Sequence, residues 1–156
     1  MTGRRYVTPE GAAALRAELY DLWRVQRPAV VEKVREAAAL GDRSENAEYL
    51  YGKRQLRALD RRVRFLRKRL EEFVVVDRLP EDRSRVYFGA TVELEGPDGP
   101  LRARIVGPDE FDPAKGTISV EAPLARALLG ARAGATVTVR TPEGPRRWTV
   151  VSVAYG

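Results

Sequence analysis

The stretch KRQLRALDRRVRFLRKR, residues 53–69, decides the architecture of the N-terminal half. It holds nine Lys or Arg against one acid, Asp60, a net +8 in a chain whose total is +6. Leu56, Leu59, Val63, Leu66, Leu70 and Phe73 recur at alternating spacings of three and four, the seam of a coiled coil. Arg54, Arg57, Arg61, Arg64 and Lys68 repeat with the same rhythm on the opposite side. One helix therefore carries an apolar edge for a partner helix and a cationic stripe of roughly 21 Å. Such a stripe repels itself, and a phosphate backbone is the partner that compensates it. The bland alternative is a solvated face, but solvated faces normally mix signs at i and i+4.

The partner helix lies upstream. Thr8-Pro9 reads as an N-cap followed by proline at the first helical position. Leu15, Leu19, Leu22, Val30, Val34 and Ala37 mark an apolar side running to about Leu40. Gln26 interrupts that seam, and Pro28 is expected to bend or divide the helix. Gly41 suits a C-cap, and the second helix is expected to start near Asp42–Ser44 and run to about Phe73. Two helices of about 30 residues with so short a joint lie antiparallel, as a hairpin on the order of 45 Å long. A two-helix hairpin has little core of its own, so the rest of the chain is expected to anchor it.

Beyond it the period changes. VYFGATVELEG (86–96), LRARIVG (101–107), TISVE (117–121), ATVTVRT (135–141) and RRWTVVSVAYG (146–156) read as strands. Pro-Asp-Gly (97–99) and Pro-Glu-Gly (142–144) read as turns. Leu124–Leu129 is one short helix between Pro123 and Gly130. The fold class is therefore α+β: an antiparallel two-helix coiled coil over residues 1–78, then a small antiparallel sheet with one short helix over 79–156. Charge divides with the fold, since residues 1–78 carry 18 basic and 12 acidic side chains and residues 79–156 carry ten of each.

Composition excludes much chemistry. With no Cys among 156 residues there are no disulfides, thiolate nucleophiles or cysteine zinc sites. With no His there are no imidazole bases, serine–histidine triads or histidine metal ligands. Any metal is held by oxygen, which points to magnesium, manganese or calcium. No apolar run is long enough to span a membrane, and MTGRRYVTPEG lacks a signal core, so a cytoplasmic protein is expected.

The hairpin's tip reads Gly41-Asp42-Arg43-Ser44-Glu45-Asn46-Ala47-Glu48. Asp42 as N-cap with Glu45 at N3 is a D-x-x-E capping box, and acids also suit the first turn of a helix. The functional alternative has Asp42 and Glu45 presenting carboxylates to a divalent cation at the end of a long arm. Two carboxylates leave a magnesium shell incomplete, so that site is weak until another molecule adds ligands. On the shaft, Tyr20 and Trp23 are read as seam or kink packing rather than base-stacking residues. Trp148 is read as core, and Glu121-Ala122-Pro123 as an exposed helix entry.

GDRSENAEYLYGKRQLRALDRRVRFLRKRLE closely resembles the bacterial Gre transcript cleavage factors, and among them the GreB type. Further matches are T-P-E-G at 8–11, L-W-R at 22–24, R-P at 27–28, YFGATVELE at 87–95, IVG at 105–107 and PLARALLG at 123–130. The similarity spans essentially the whole chain, and the tip motif is highly specific. It implies a coiled-coil N-terminal domain and an FKBP-like C-terminal one. It implies a monomeric accessory, not an enzyme, that reaches through the secondary channel of bacterial RNA polymerase. There it induces the polymerase's own active site to cut the extruded 3′ end of nascent RNA. By position, Asp42 and Glu45 would help hold a second Mg²⁺ shared with the polymerase and not bound tightly by the free protein, with Ser44 and Asn46 supporting the tip. Lys53, Arg54, Arg57, Arg61, Arg64, Arg67 and Lys68 would guide the RNA, and Glu121 and Pro123 would contact the polymerase. The extended stripe is GreB-like, whereas GreA-type patches are shorter. Ala122, where the family usually has Ser, departs from the pattern, as does Glu121, where the GreB type commonly has Asp. Rival readings are an inhibitory homologue, a peptidyl-prolyl isomerase suggested by the FKBP resemblance alone, and a generic RNA-binding coiled coil.

Overall fold

The computed structural model describes residues 5–42 and 46–156. Grouped by contacts, Ala12–Phe73 form one unit, and Val74–Gly156 join the N-terminal segment through Gly11 in the other. This differs from a single break at 78/79 because strand β1 (Arg5–Val7) pairs with β2 (Phe73–Val75), and Val76 N–H donates to Val7 O at 2.9 Å. The chain thus enters and leaves the hairpin through one small two-stranded sheet. No helix among the described residues is long and apolar enough to cross a membrane.

The helical unit begins as its sequence predicts. Thr8 caps α1 (Pro9–Asp21), its Oγ1 accepting from Gly11 N–H at 3.0 Å. The acid that completes this cap comes from 102 residues away: Glu110 accepts from Thr8 N–H at 2.8 Å, from Thr8 Oγ1, and from Gly107 N–H at 2.8 Å. Gly11 is required beside it, since a Cβ there would lie 2.0 Å from Glu110 Oε1.

Pro28 does not break the helix. A single π turn, Leu22–Gln26, joins α1 to α2 (Arg27–Ala38), with Arg27 N–H donating to Leu22 O. Proline brings no N–H to the ladder, and the wider turn just before it absorbs the loss. The turn also explains the interrupted seam. Leu15, Leu19 and Leu22 set a phase that would continue at 26, 29, 33 and 36, yet the inward-facing residues are Val30, Val34 and Ala37. The apolar pattern slips by one residue, and an i→i−5 turn takes up one extra residue, so both halves keep one inward face.

Helix α3 (Ala47–Glu72) carries the seam as expected. Leu59, Val63 and Val30 are buried together, with Leu19, Leu22, Val34 and Leu56 packed around them. Nearer the tip Gly52 is buried, and a Cβ there would sit 2.7 Å from Val34 Cγ2, so glycine lets α2 and α3 close up. Contrary to the packing reading, Tyr20 is mostly exposed, and Trp23 is 39% exposed and lies outside the cluster around Val30, Leu59 and Val63.

The second unit is a five-stranded sheet of order β5-β4-β3-β7-β6: β3 (Thr91–Gly96), β4 (Gly99–Val106), β5 (Thr117–Ser119), β6 (Thr136–Thr141) and β7 (Gly144–Ala154). It is mostly antiparallel, with tight hairpins closing at Gly96↔Gly99 and Thr141↔Gly144 where Gly99 and Gly144 take positive φ. The antiparallel sheet expected from the sequence is present, with one parallel pair at its edge. β5 runs parallel to β4, from Arg104↔Thr117 to Val106↔Ser119, because the connection holding the 3₁₀ turn Pro113–Lys115 returns the chain in the same direction. Val92 and Leu94 alternate with exposed Glu93 and Glu95, and face a core of Val86, Ala90, Ile105, Val150 and, from α4 (Pro123–Leu128), Ala125 and Leu128. Trp148 is half-buried against this core rather than within it, lying over Gly96, where a Cβ would come 2.2 Å from its ring.

Candidate nucleic-acid interface on the helical hairpin

The tip is organised by Asn46. Helix α2 ends at Ala38, Gly41 takes φ +128°, and α3 starts with Asn46 as its N-cap. The Asn46 side chain works in both directions: Oδ1 accepts from Tyr49 N–H at 3.1 Å, and Nδ2 donates to Ala37 O at 2.7 Å. One amide therefore caps the second helix and ties it to the end of the first. This overturns the expected helix start at Asp42–Ser44 and the capping-box role of Asp42, which lies exposed four residues ahead of the cap. Ser44 and Glu45 lie outside the described residues. Among the described residues there is no group of three or more acids, Cys or His able to hold a metal ion. The donors on offer, the carboxylates of Asp42 and Glu45, suit a hard divalent cation in kind and fall short of its shell in number. They fit a site completed by another molecule.

From the tip the cationic residues follow α3. Arg54, Arg57, Arg61, Arg64, Arg67 and Lys68 are exposed and Lys53 is half-buried. None of the seven has an ion-pair partner among the described residues. The single acid in the stretch is turned away from them: Asp60 accepts from Arg27 Nε at 2.9 Å and Nη2 at 3.5 Å across the hairpin, and this hydrogen bond raises the Arg27 pKa. Arg62 pairs with Glu18 at 2.6 and 2.9 Å and Arg69 with Glu72 at 3.4 Å, off the stripe. The like-charged neighbours 54/57, 57/61, 61/64 and 64/68 each cost about 0.2–0.5 kcal/mol. Burial of Leu59, Val63 and Leu66, at about 1.5–3 kcal/mol apiece, outweighs that repulsion. The fold therefore tolerates an uncompensated cationic face.

Sequence reading missed the aromatic contacts beside this face. Trp23 has the Arg67 guanidinium 4.5 Å and the Arg27 guanidinium 5.0 Å from its ring centroid. Phe65 likewise has Arg69 at 4.7 Å and Arg62 at 5.1 Å. The available signal was the spacing of Arg27 four residues after Trp23 and of Arg62 and Arg69 three before and four after Phe65.

In the sheet unit, Glu121 and Pro123 are both exposed at the entry to α4. Ala122 is the N-cap residue and brings no side-chain acceptor. Ser119, three residues earlier, orders the turn instead: its Oγ accepts from Glu121 N–H at 3.1 Å and its carbonyl from Ala122 N–H at 2.9 Å.

Comparison with known proteins places both units. Residues 5–75 match the family described as "Transcription elongation factor, N-terminal", and residues 80–155 match "Transcription elongation factor, GreA/GreB, C-term". The chain belongs to the Gre family. Its Gre relatives include Transcription elongation factor GreB of Pseudomonas aeruginosa, 60% identical over 98% of this chain and 92% of the relative. GreB of Xanthomonas axonopodis is 57% identical over 96% of this chain and 90% of the relative. Among solved structures, the GreA factor homolog 1 (Gfh1) of Thermus thermophilus is 23% identical with a TM-score of 0.45, covering 97% of this chain and 99% of that one. The family assignment rests on the sequence matches, which are GreB by name and run nearly end to end.

Proposed function

We propose that this chain is a GreB-type transcript cleavage factor, a monomeric cytoplasmic accessory of bacterial RNA polymerase and not itself an enzyme. In this reading the hairpin enters the polymerase's secondary channel and the polymerase's active site cuts the backtracked RNA. The observation that carries the proposal is the uncompensated cationic face of α3, which leads to a tip where Asp42 lies exposed ahead of the Asn46 cap. Arg54, Arg57, Arg61 and Arg64 offer a line of guanidiniums at one-turn intervals, which tracks a phosphodiester backbone without reading its bases. Asn46 fixes where the tip leaves the helices, and so where Asp42 is presented. Asp42 and Glu45 would hold part of a magnesium ion's ligand shell there, with the polymerase holding the rest, and the ion would supply an acidified water and charge stabilisation at phosphoryl oxygens. Glu121 and Pro123, exposed on the sheet unit, are read as polymerase contacts.

The test is RNA release from purified backtracked complexes. Asp42→Asn/Glu45→Gln is expected to lower stimulated release by about a hundredfold or more, roughly 2.7 kcal/mol of barrier, while still competing with wild type for polymerase. Release at the wild-type rate would remove the tip from the chemistry, and slower release with wild type than with no factor would make this an inhibitory homologue.

A further inference from the structure

Trp23 is a large side chain of the hairpin that the seam does not account for. The residue is 39% exposed, it sits in the π turn, and the buried cluster of Val30, Leu59 and Val63 does not include it. The two guanidiniums against it differ in kind. Arg27 is anchored by two hydrogen bonds to Asp60. Arg67 is exposed, pairs with no acid among the described residues, and lies one helical turn from Arg64 of the stripe. A large π surface thus borders the proposed RNA track, covered by one cation that is held and one that can leave.

We propose that Trp23 is a base-stacking platform for single-stranded RNA, covered at rest by Arg67, which leaves the ring for a phosphate when a nucleobase arrives. The inference rests on the reading of residues 53–69 as the RNA-guiding face. The exchange is favourable in sign: an exposed guanidinium–indole contact is worth about 2–5-fold in an equilibrium, a base–aromatic stack about 5–150-fold. The displaced guanidinium is not left without a partner, since RNA brings its own phosphate to the same place. Asp60 keeps Arg27 in position during the exchange, which gives the one acid of the stretch a function. Arg67 lies about 30 Å along α3 from the helix's first turn, so only RNA extruded well past the tip reaches the platform. Stacking is indifferent to base identity, as a factor meeting every transcript requires.

Backtracked complexes with RNA extruded by about two or about ten nucleotides, the latter within the span of a typical single-strand site, test this directly. Trp23→Leu is expected to slow release about tenfold on the long extrusion and to leave the short one unchanged. Trp23→Phe, which keeps a π face, is expected to restore most of the loss, and thermal melts of both variants report whether the hairpin is intact. Equal losses at both lengths, or a Leu variant matching wild type on the long one, would overturn the proposal. Oligouridylate added to the free protein is expected to quench tryptophan emission in wild type but not in Trp23→Phe, where Trp148 alone remains. If wild type fails to stimulate release at all, the cleavage reading falls, and the quenching decides stacking by itself: Trp23-dependent quenching upholds it and none refutes it.

Discussion

Asn46→Ala removes two bonds with one substitution, and their worth is separable. Loss of the N-cap acceptor for Tyr49 N–H costs about 1 kcal/mol. Loss of the donor to Ala37 O removes a half-buried tether between the helices, worth another ~1 kcal/mol. The sum, about 2 kcal/mol, is roughly a 30-fold change in a local opening equilibrium. Asn46→Asp divides the two. A carboxylate still accepts from Tyr49 N–H and gains about 0.3–1 kcal/mol from the helix dipole, but it has no proton for Ala37 O. Native-state hydrogen exchange at the Tyr49 amide is therefore expected to speed up about 30-fold in the Ala variant and by less than about fivefold in the Asp variant. The seam is buried beyond this turn, so global unfolding is expected to move less than the tip does. Equal acceleration in both variants would refute the division of labour, and unchanged Tyr49 protection in Asn46→Ala would refute the cap itself.

Two further outcomes follow from features described above. Arg57→Glu/Arg61→Glu/Arg64→Glu is expected to impair release from long-extruded complexes more than from short ones, and to flatten the salt dependence seen with wild type; equal impairment would leave the stripe a general docking surface. In the sheet unit, Tyr155 donates to Arg85 O at 2.6 Å and accepts from Tyr87 N–H at 2.8 Å. Burial pushes its pKa up, partly opposed by the Tyr87 hydrogen bond. A raised folded pKa means the neutral phenol's contribution is intact below the ordinary tyrosine value and is lost as pH rises through the folded one. Urea melts are expected to show Tyr155→Phe about 1–2 kcal/mol less stable near neutrality, with a shallower fall above pH ~10 than wild type. Parallel curves at all pH values would show that the phenol's protonation does not matter.

What was legible in the sequence was whatever repeats at short range. The three-four seam of α3, the cationic rhythm beside it, the two proline–acid–glycine turns and the Pro123-initiated helix all follow from spacing within a dozen residues. The helix start at the tip was misplaced because Asp42, Ser44 and Asn46 are all competent caps within five positions. D-x-x-E favours the first, whereas the bond from Asn46 to Ala37 O, invisible in one dimension, favours the last. The parallel β4–β5 pair and the Glu110 clamp on Thr8 depend on partners that only topology brings together. The slip between Leu22 and Val30 was present in the letters, but without the π turn it looked like an interruption rather than a change of phase.

That turn bears on how the arm can vary between relatives. An ordinary single-residue deletion in a coiled coil rotates everything beyond it by about 100° and empties the seam. Here one residue of Leu22–Gln26 is already surplus to the heptad. Its removal converts the wide turn to an α turn and leaves Leu15, Leu19 and Leu22 on the same face as Val30, Val34 and Ala37. The hairpin thus has a place where a codon can be lost at little cost to its core, and Trp23 stands inside it.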